Sequence, residues 1–125
     1  MNLVDSSGWL EYFADAENAD IFSKPINDSE NLIVSVINVY EVYKKITTQR
    51  NEQIAKELTS VMMQVQIADI DSRISIEAAR LSCQKKIPMA DSLIYATAKI
   101  HNALLWTQDY DLKGLEGVKF VEKKK

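Results

Sequence analysis

The sequence predicts an α/β domain built on a parallel sheet of four or five strands, with helices covering both faces. Three observations carry that expectation. Short apolar runs alternate with longer segments of helical periodicity along the whole chain. The last long helix leads directly into the buried run 103–107, the connection expected of a right-handed crossover between parallel strands. Finally, 125 residues with only three glycines and two prolines leave no low-complexity linker and no internal repeat, so one domain spanning 1–125 is expected.

Each element has its own justification. Asn2-Leu3-Val4 is a short apolar strand, and Asp5-Ser6-Ser7-Gly8 turns the chain into a helix whose Trp9, Leu10, Tyr12 and Phe13 keep helical spacing. A second helix is expected over 16–23, broken by Lys24-Pro25-Ile26-Asn27-Asp28, because proline removes a helical donor. Residues 31–36 form the next strand and 37–49 the next helix. In that helix Val36, Val39, Tyr40, Tyr43 and Ile46 share one face, and Glu41 projects opposite them.

A helix over 51–64 has Ile54, Leu58, Val61 and Met62 facing inward, followed by a strand over 65–70. Asp71-Ser72 caps a helix carrying Ile74, Ile76, Ala78, Ala79 and Leu81, which makes Asp69 and Asp71 turn and cap residues. Ile87-Pro88-Met89-Ala90-Asp91 opens the last long helix, since proline is tolerated at a helix start and an acid is favoured in its first turn. That helix ends near His101-Asn102. The strand 103–107 follows, then a short helix or turn over 112–117 and a final strand over 118–121.

Composition narrows the function. A net charge of −3 argues against holding nucleic acid by bulk charge, although a local basic groove is compatible with it. Cys83 is the only cysteine and His101 the only histidine, so there is no internal disulfide and no zinc site on those residue types; a reducing, cytoplasmic setting is favoured. The amino terminus has no signal-peptide pattern, and no segment approaches the length of a membrane span. A soluble protein without a membrane partner is expected. The Lys123-Lys124-Lys125 run reads as a solvated tail, and Lys44, Lys45, Arg50, Lys85, Lys86 and Lys99 as scattered helix cations.

The informative residues are the acids. In a parallel sheet, ligands gather where the strands end, and the helix that precedes a strand begins at that same edge. Asp5 follows the first strand, Glu41 lies one turn into the helix after the second, Asp91 opens the helix before the fourth, and Asp109 and Asp111 follow it. Each has a local role available, as an N-cap for Asp5 and a dipole-complementing acid for Asp91. Together they are like charges that need protons or a cation, and oxygen-only ligands suit Mg²⁺ or Mn²⁺. Such a centre makes a bound water more acidic and stabilises charge on a phosphoryl group, which points to phosphodiester hydrolysis.

At these residues the sequence resembles a known family, the PIN-domain ribonucleases, and within it the VapC-type toxins of toxin-antitoxin pairs. The carrying segments are Leu3-Val4-Asp5-Ser6-Ser7, Val39-Tyr40-Glu41-Val42, Met89-Ala90-Asp91-Ser92-Leu93-Ile94-Tyr95-Ala96 and Trp106-Thr107-Gln108-Asp109-Tyr110-Asp111-Leu112. They cover essentially the whole chain in the family's order. The resemblance implies a three-layer α/β/α sandwich and endonucleolytic cleavage of RNA at a Mg²⁺ or Mn²⁺ site on Asp5, Glu41, Asp91 and Asp109. It also implies supporting hydroxyls at Thr107 and Ser6, a homodimer, and a small antitoxin that blocks the site. Asp111 matches an acid whose role varies in the family, and Leu112 stands where an aromatic is common.

Two rival readings remain at this stage: a PIN-like module that binds without cleaving, and a phosphoacceptor receiver domain. The receiver requires an adjacent acidic pair after the first strand, whereas Asp5 is followed by Ser6 and Ser7. A nucleophilic mechanism would rest on His101, whose place at a helix end suits a structural role.

Overall fold

Strand and helix alternate as the sequence pattern demands. In the computed structural model, which describes residues 1–124, β1 (Asn2–Val4) leads into α1 (Ser6–Phe13) and α2 (Ala19–Asn27). Then β2 (Leu32–Ser35) leads into α3 (Val36–Gln49) and α4 (Glu52–Met62), and β3 (Gln66–Ala68) into α5 (Ser72–Lys85) and α6 (Met89–Ile100). The chain continues through β4 (Leu104–Thr107) and β5 (Val118–Phe120). Lys123 and Lys124 of the lysine run are exposed, and Lys125 lies outside the described residues.

All five strands are parallel, in the order β3-β2-β1-β4-β5. The strands progress outward from β1 to β3, and the chain then crosses back to β4 on the other side of β1. With right-handed crossovers, that reversal sends the two sets of helices to opposite faces. Side-chain alternation shows the outcome: Leu3 and Ile33 pack with Ile74, Leu81 and Ile94 of α5 and α6, whereas Val4, Leu32 and Val34 pack with Trp9, Phe22, Val42, Ala55 and Met62 of α1 to α4. The receiver reading falls on topology, because that fold has the order 2-1-3-4-5.

The order reverses between β1 and β4, which pair from Asn2↔Leu104 to Val4↔Trp106. Their carboxyl ends therefore flank the switch point where open α/β sheets bind ligands. The exit from β1 is abrupt. α1 starts at Ser6, with no separate turn over 5–8, and its approach to the sheet requires Gly8: a Cβ there would meet Phe22 Cδ1 and Val4 Cγ1 at 2.6 Å.

Other elements differ from expectation for identifiable reasons. α2 runs through Pro25 to Asn27, since only the last turn follows the proline and its buried ring adds to the core beside Phe22 and Ile26. Its start moves from 16 to 19, because Ala16 to Asn18 form the preceding turn. In α3 the buried face is Asn38, Val42 and Ile46, and Tyr40 is 61% exposed. Val61, expected to face inward, is exposed while Thr59 and Ala55 are buried, and Ile76 of α5 is also exposed, because only one narrow stripe of each outer helix meets its neighbours. The segment 112–117 is a turn with Gly114 and Gly117 at positive φ, preceded by a 3-10 turn over Tyr110–Leu112. Leu112 itself is fully buried. Asp71 caps α5 by accepting from the Ile74 N–H at 2.9 Å, and His101 closes α6. Among the described residues no helix is long and apolar enough to cross a membrane.

Candidate active site

A cavity of about 420 Å³ opens at the carboxyl edge of β1 and β4, and Asp5, Ser6, Ser7, Glu41, Asp91 and Asp109 all line it. Four elements deliver the acids. Asp5 ends β1, Glu41 stands on the second turn of α3, Asp91 on the first turn of α6, and Asp109 follows β4. The structure thus brings together the four acids that sequence spacing singled out. Asp111 joins them from the rim: one carboxylate oxygen each from Asp91, Asp109 and Asp111 lie within 4.8 Å of one another.

Asp5 is 3% exposed and occupies the N-cap position of α1, yet its side chain makes no cap hydrogen bond. The carboxylate turns instead to the cavity, where Oδ2 accepts from Thr107 Oγ1 at 2.8 Å and from Ser7 Oγ at 3.0 Å. Burial pushes its pKa up to about 6, and those two hydroxyl donors oppose the rise. Thr107, wholly buried, also accepts from the Asp109 backbone N–H at 2.9 Å, so one hydroxyl ties the end of β1 to the second residue after β4.

Glu41 is held from α1. Ser6 Oγ donates to Glu41 Oε1 at 2.7 Å and accepts from Asn38 Nδ2 at 3.0 Å. Asn38 in turn accepts from the Ser35 N–H through Oδ1, completing a capping box at the start of α3. Glu41, expected from periodicity to face solvent, is half-buried because α3 starts at the same sheet edge as α1.

Asp91 has a different environment. It is 9% exposed, and burial, then the neighbouring carboxylates of Asp109 and Asp5, push its pKa up to about 8. Asp109 accepts from the Asp111 N–H at 2.9 Å through Oδ1. Oxygen donors this close, with one carboxyl forced toward its protonated form, fit a hard divalent cation; the cluster can bind either a proton or such an ion. Among the described residues this is the group of acids packed closely enough to hold one.

Sequence reasoning missed several contributors. Asn38 was readable as the partner of Ser35 in an S-x-x-N cap. Ser7 and the buried pair Asn18–Gln108 carried no such signal: Asn18 Nδ2 donates to Gln108 Oε1 at 2.9 Å, and the Gln108 N–H reaches Ser7 Oγ at 3.3 Å. Tyr40, Lys44, Lys45 and Thr48 of α3 form one wall of the cavity.

Comparison with known proteins gives a consistent picture. A family model described as the PIN domain matches residues 3–118. No curated protein matches the chain. Among solved structures, a chain of a toxin-antitoxin complex from Klebsiella pneumoniae is similar at a TM-score of 0.77 and 24% identity, covering 95% of this chain and 96% of that one. VapBC2 from Rickettsia felis, bound to a DNA fragment from its promoter, gives 0.76 at 14% identity over 96% of each chain. VapC20 from Mycobacterium tuberculosis, described as a Sarcin-Ricin loop cleaving toxin, gives 0.73 at 12% identity over 95% and 99%. At these identities the likeness is one of fold.

Proposed function

The chain belongs to the PIN-domain family, and from that premise we propose that it is a divalent-metal-dependent endoribonuclease, the toxin of a toxin-antitoxin pair. The observation that carries this reading is the convergence of Asp5, Glu41, Asp91 and Asp109, from four separate elements, on one cavity. The binding-only reading has no use for so costly a gathering of like charges.

In this reading Asp91 and Asp109, with Asp5 and Glu41 facing them and Asp111 at the rim, hold Mg²⁺ or Mn²⁺. When bound, the ion supplies charge neutralisation and a more acidic water. The protein's own residues supply position. Thr107 and Ser7 keep the Asp5 carboxylate aimed into the cavity, Ser6 does the same for Glu41, and the Thr107 bridge fixes the spacing of the two strand ends. Burial of Asp5 and Asp91 excludes bulk water from the inner side of the cleft, which strengthens every charge interaction there.

Supported by the likeness to a chain of a toxin-antitoxin complex, the reading includes an antitoxin partner. In our reading it inserts an Arg or Lys among the carboxylates, because a cation is what the metal-free cluster lacks. The same reading includes a homodimer acting in the cytoplasm. The test is cleavage of an unstructured RNA by pure protein: EDTA abolishes it and Mn²⁺ or Mg²⁺ restores it. Undiminished cleavage after exhaustive chelation would sink the metal mechanism.

A further inference from the structure

Around Glu41 the wall of the cavity is made by the outer face of α3, and the core does not account for it. Asn38, Val42 and Ile46 are what that helix buries. Tyr40, Lys44 and Thr48 recur every fourth residue on another face, so they stand in a row with a spacing of about 6 Å along the axis. Tyr40 is a large aromatic with 61% of its surface in solvent, adjacent in sequence to Glu41. Lys44 Nζ lies 5.7 Å from its ring centroid, and Lys45 lines the same cavity. Two cations and an open aromatic ring therefore border a site that is otherwise acidic, in a protein with net charge −3.

We propose that this row is the entry platform for the RNA strand, where an unpaired base stacks on Tyr40 and the flanking phosphates meet Lys44 and Lys45. Aromatic faces accept any base, and lysines track the backbone without reading sequence, the combination used to hold single-stranded nucleic acid. A duplex is unsuited to this geometry. Its bases are already stacked and cannot lie on Tyr40. Asp5 and Asp91, at 3% and 9% exposure, sit at the floor of the cleft, where a flexible single strand can descend. Lys44 and Lys45 also offset the repulsion that the carboxylates exert on an approaching phosphate chain.

The inference rests on the ribonuclease reading, and its test separates the two. A 12-nucleotide unstructured RNA carrying one photoreactive 5-iodouridine per probe is crosslinked to the protein, and the modified residue is mapped by mass spectrometry. Steady-state cleavage by Tyr40→Ala, Tyr40→Phe and Lys44→Gln is measured alongside. The expected result is crosslinking at Tyr40. Tyr40→Ala should raise KM about 5- to 100-fold with little change in kcat, Tyr40→Phe should stay close to the parent, and Lys44→Gln should flatten the salt dependence of KM.

Crosslinks confined to other elements, or an unchanged KM for Tyr40→Ala in a protein that cuts RNA, would overturn the platform and leave the ribonuclease reading intact. A crosslink at Tyr40 in a protein that cuts nothing would do the reverse. If Tyr40→Ala weakens only capture by the antitoxin, the face is a protein-docking surface and the proposal fails.

Discussion

The two sides of the acidic cleft solve the same electrostatic problem differently. On the α1 and α3 side, Asp5 receives hydroxyl hydrogen bonds from Thr107 and Ser7, and Glu41 receives one from Ser6. On the α6 side, Asp91 faces Asp109 and Asp5, and every cause of its shift raises its pKa. Asp5 is pushed to about 6 and Asp91 to about 8 although Asp5 is the more deeply buried. The difference teaches that burial alone does not set the affinity of a carboxyl for a proton. Hydroxyl donors hold Asp5 down and neighbouring carboxylates drive Asp91 up, and the side with the carboxylates and without the donors is the one that calls for a cation.

The largest test of this asymmetry is Asp91→Asn. Removing that charge relieves repulsion in the metal-free protein, so cleavage should fall by at least ~100-fold while the melting temperature in EDTA near pH 8 stays level or rises. Asp5→Asn should also abolish cleavage, with a smaller rise in melting temperature than Asp91→Asn, because two hydroxyls already support the Asp5 charge and an amide serves them less well. Identical melting behaviour of the two variants would erase the distinction between the sides. An Asp91→Asn protein that melts earlier yet cuts RNA at close to the parent rate would make Asp91 a helix-dipole residue.

A second test is pH. Both carboxyls have folded pKa values above the unfolded value near 3.9, so the native state holds protons that the unfolded chain has lost. Their contribution to stability is fully present below about pH 4 and is lost as pH rises, by about 6 for Asp5 and by about 8 for Asp91. Denaturant midpoints in EDTA should therefore decline between pH 5 and pH 8 (roughly the window those shifts define), and Asp91→Asn should remove the part above pH 6. A midpoint that climbs with pH across that window, in both proteins, would contradict the assignment.

Smaller effects refine the picture. Thr107→Val keeps the shape but strands the Asp109 N–H and removes one donor from Asp5, at a cost of about 1–3 kcal/mol. Its signature should be a further rise in the Asp5 pKa, visible by NMR titration, with Asp91 little moved. Asp111→Asn is the mildest change, since Asp111 is exposed and lies at the rim. Calorimetric Mn²⁺ affinity should weaken by no more than about tenfold, as expected for loss of one screened charge. A complete loss would promote Asp111 to an essential ligand.

The sheet and the acids were legible because each rests on a local signal: short apolar runs, and carboxylates placed just beyond strand ends or at helix starts. Lateral relations were less legible. Periodicity in α3 put Tyr40 inward and left out Val42, because the buried stripe Asn38-Val42-Ile46 begins at a polar residue that hydropathy counts as surface. Pro25 signalled a break, yet a proline one turn from a helix end removes only one internal bond. Ser7, Asn18 and Gln108 act through partners up to 104 positions away, which no window of sequence contains.

That remoteness has a kinetic consequence. The central strand, β1, comes first in the chain, and its partner across the acidic cleft, β4, comes more than a hundred positions later; Asp5 and Thr107 are 102 residues apart. High contact order of this kind slows folding, because the long loop must close before its contacts can form. It also means that no fragment ending before β4 can assemble the cleft. During synthesis the Asp5 side of the cleft emerges long before Thr107 and Asp109, so the carboxylates can converge only once β4 has been made.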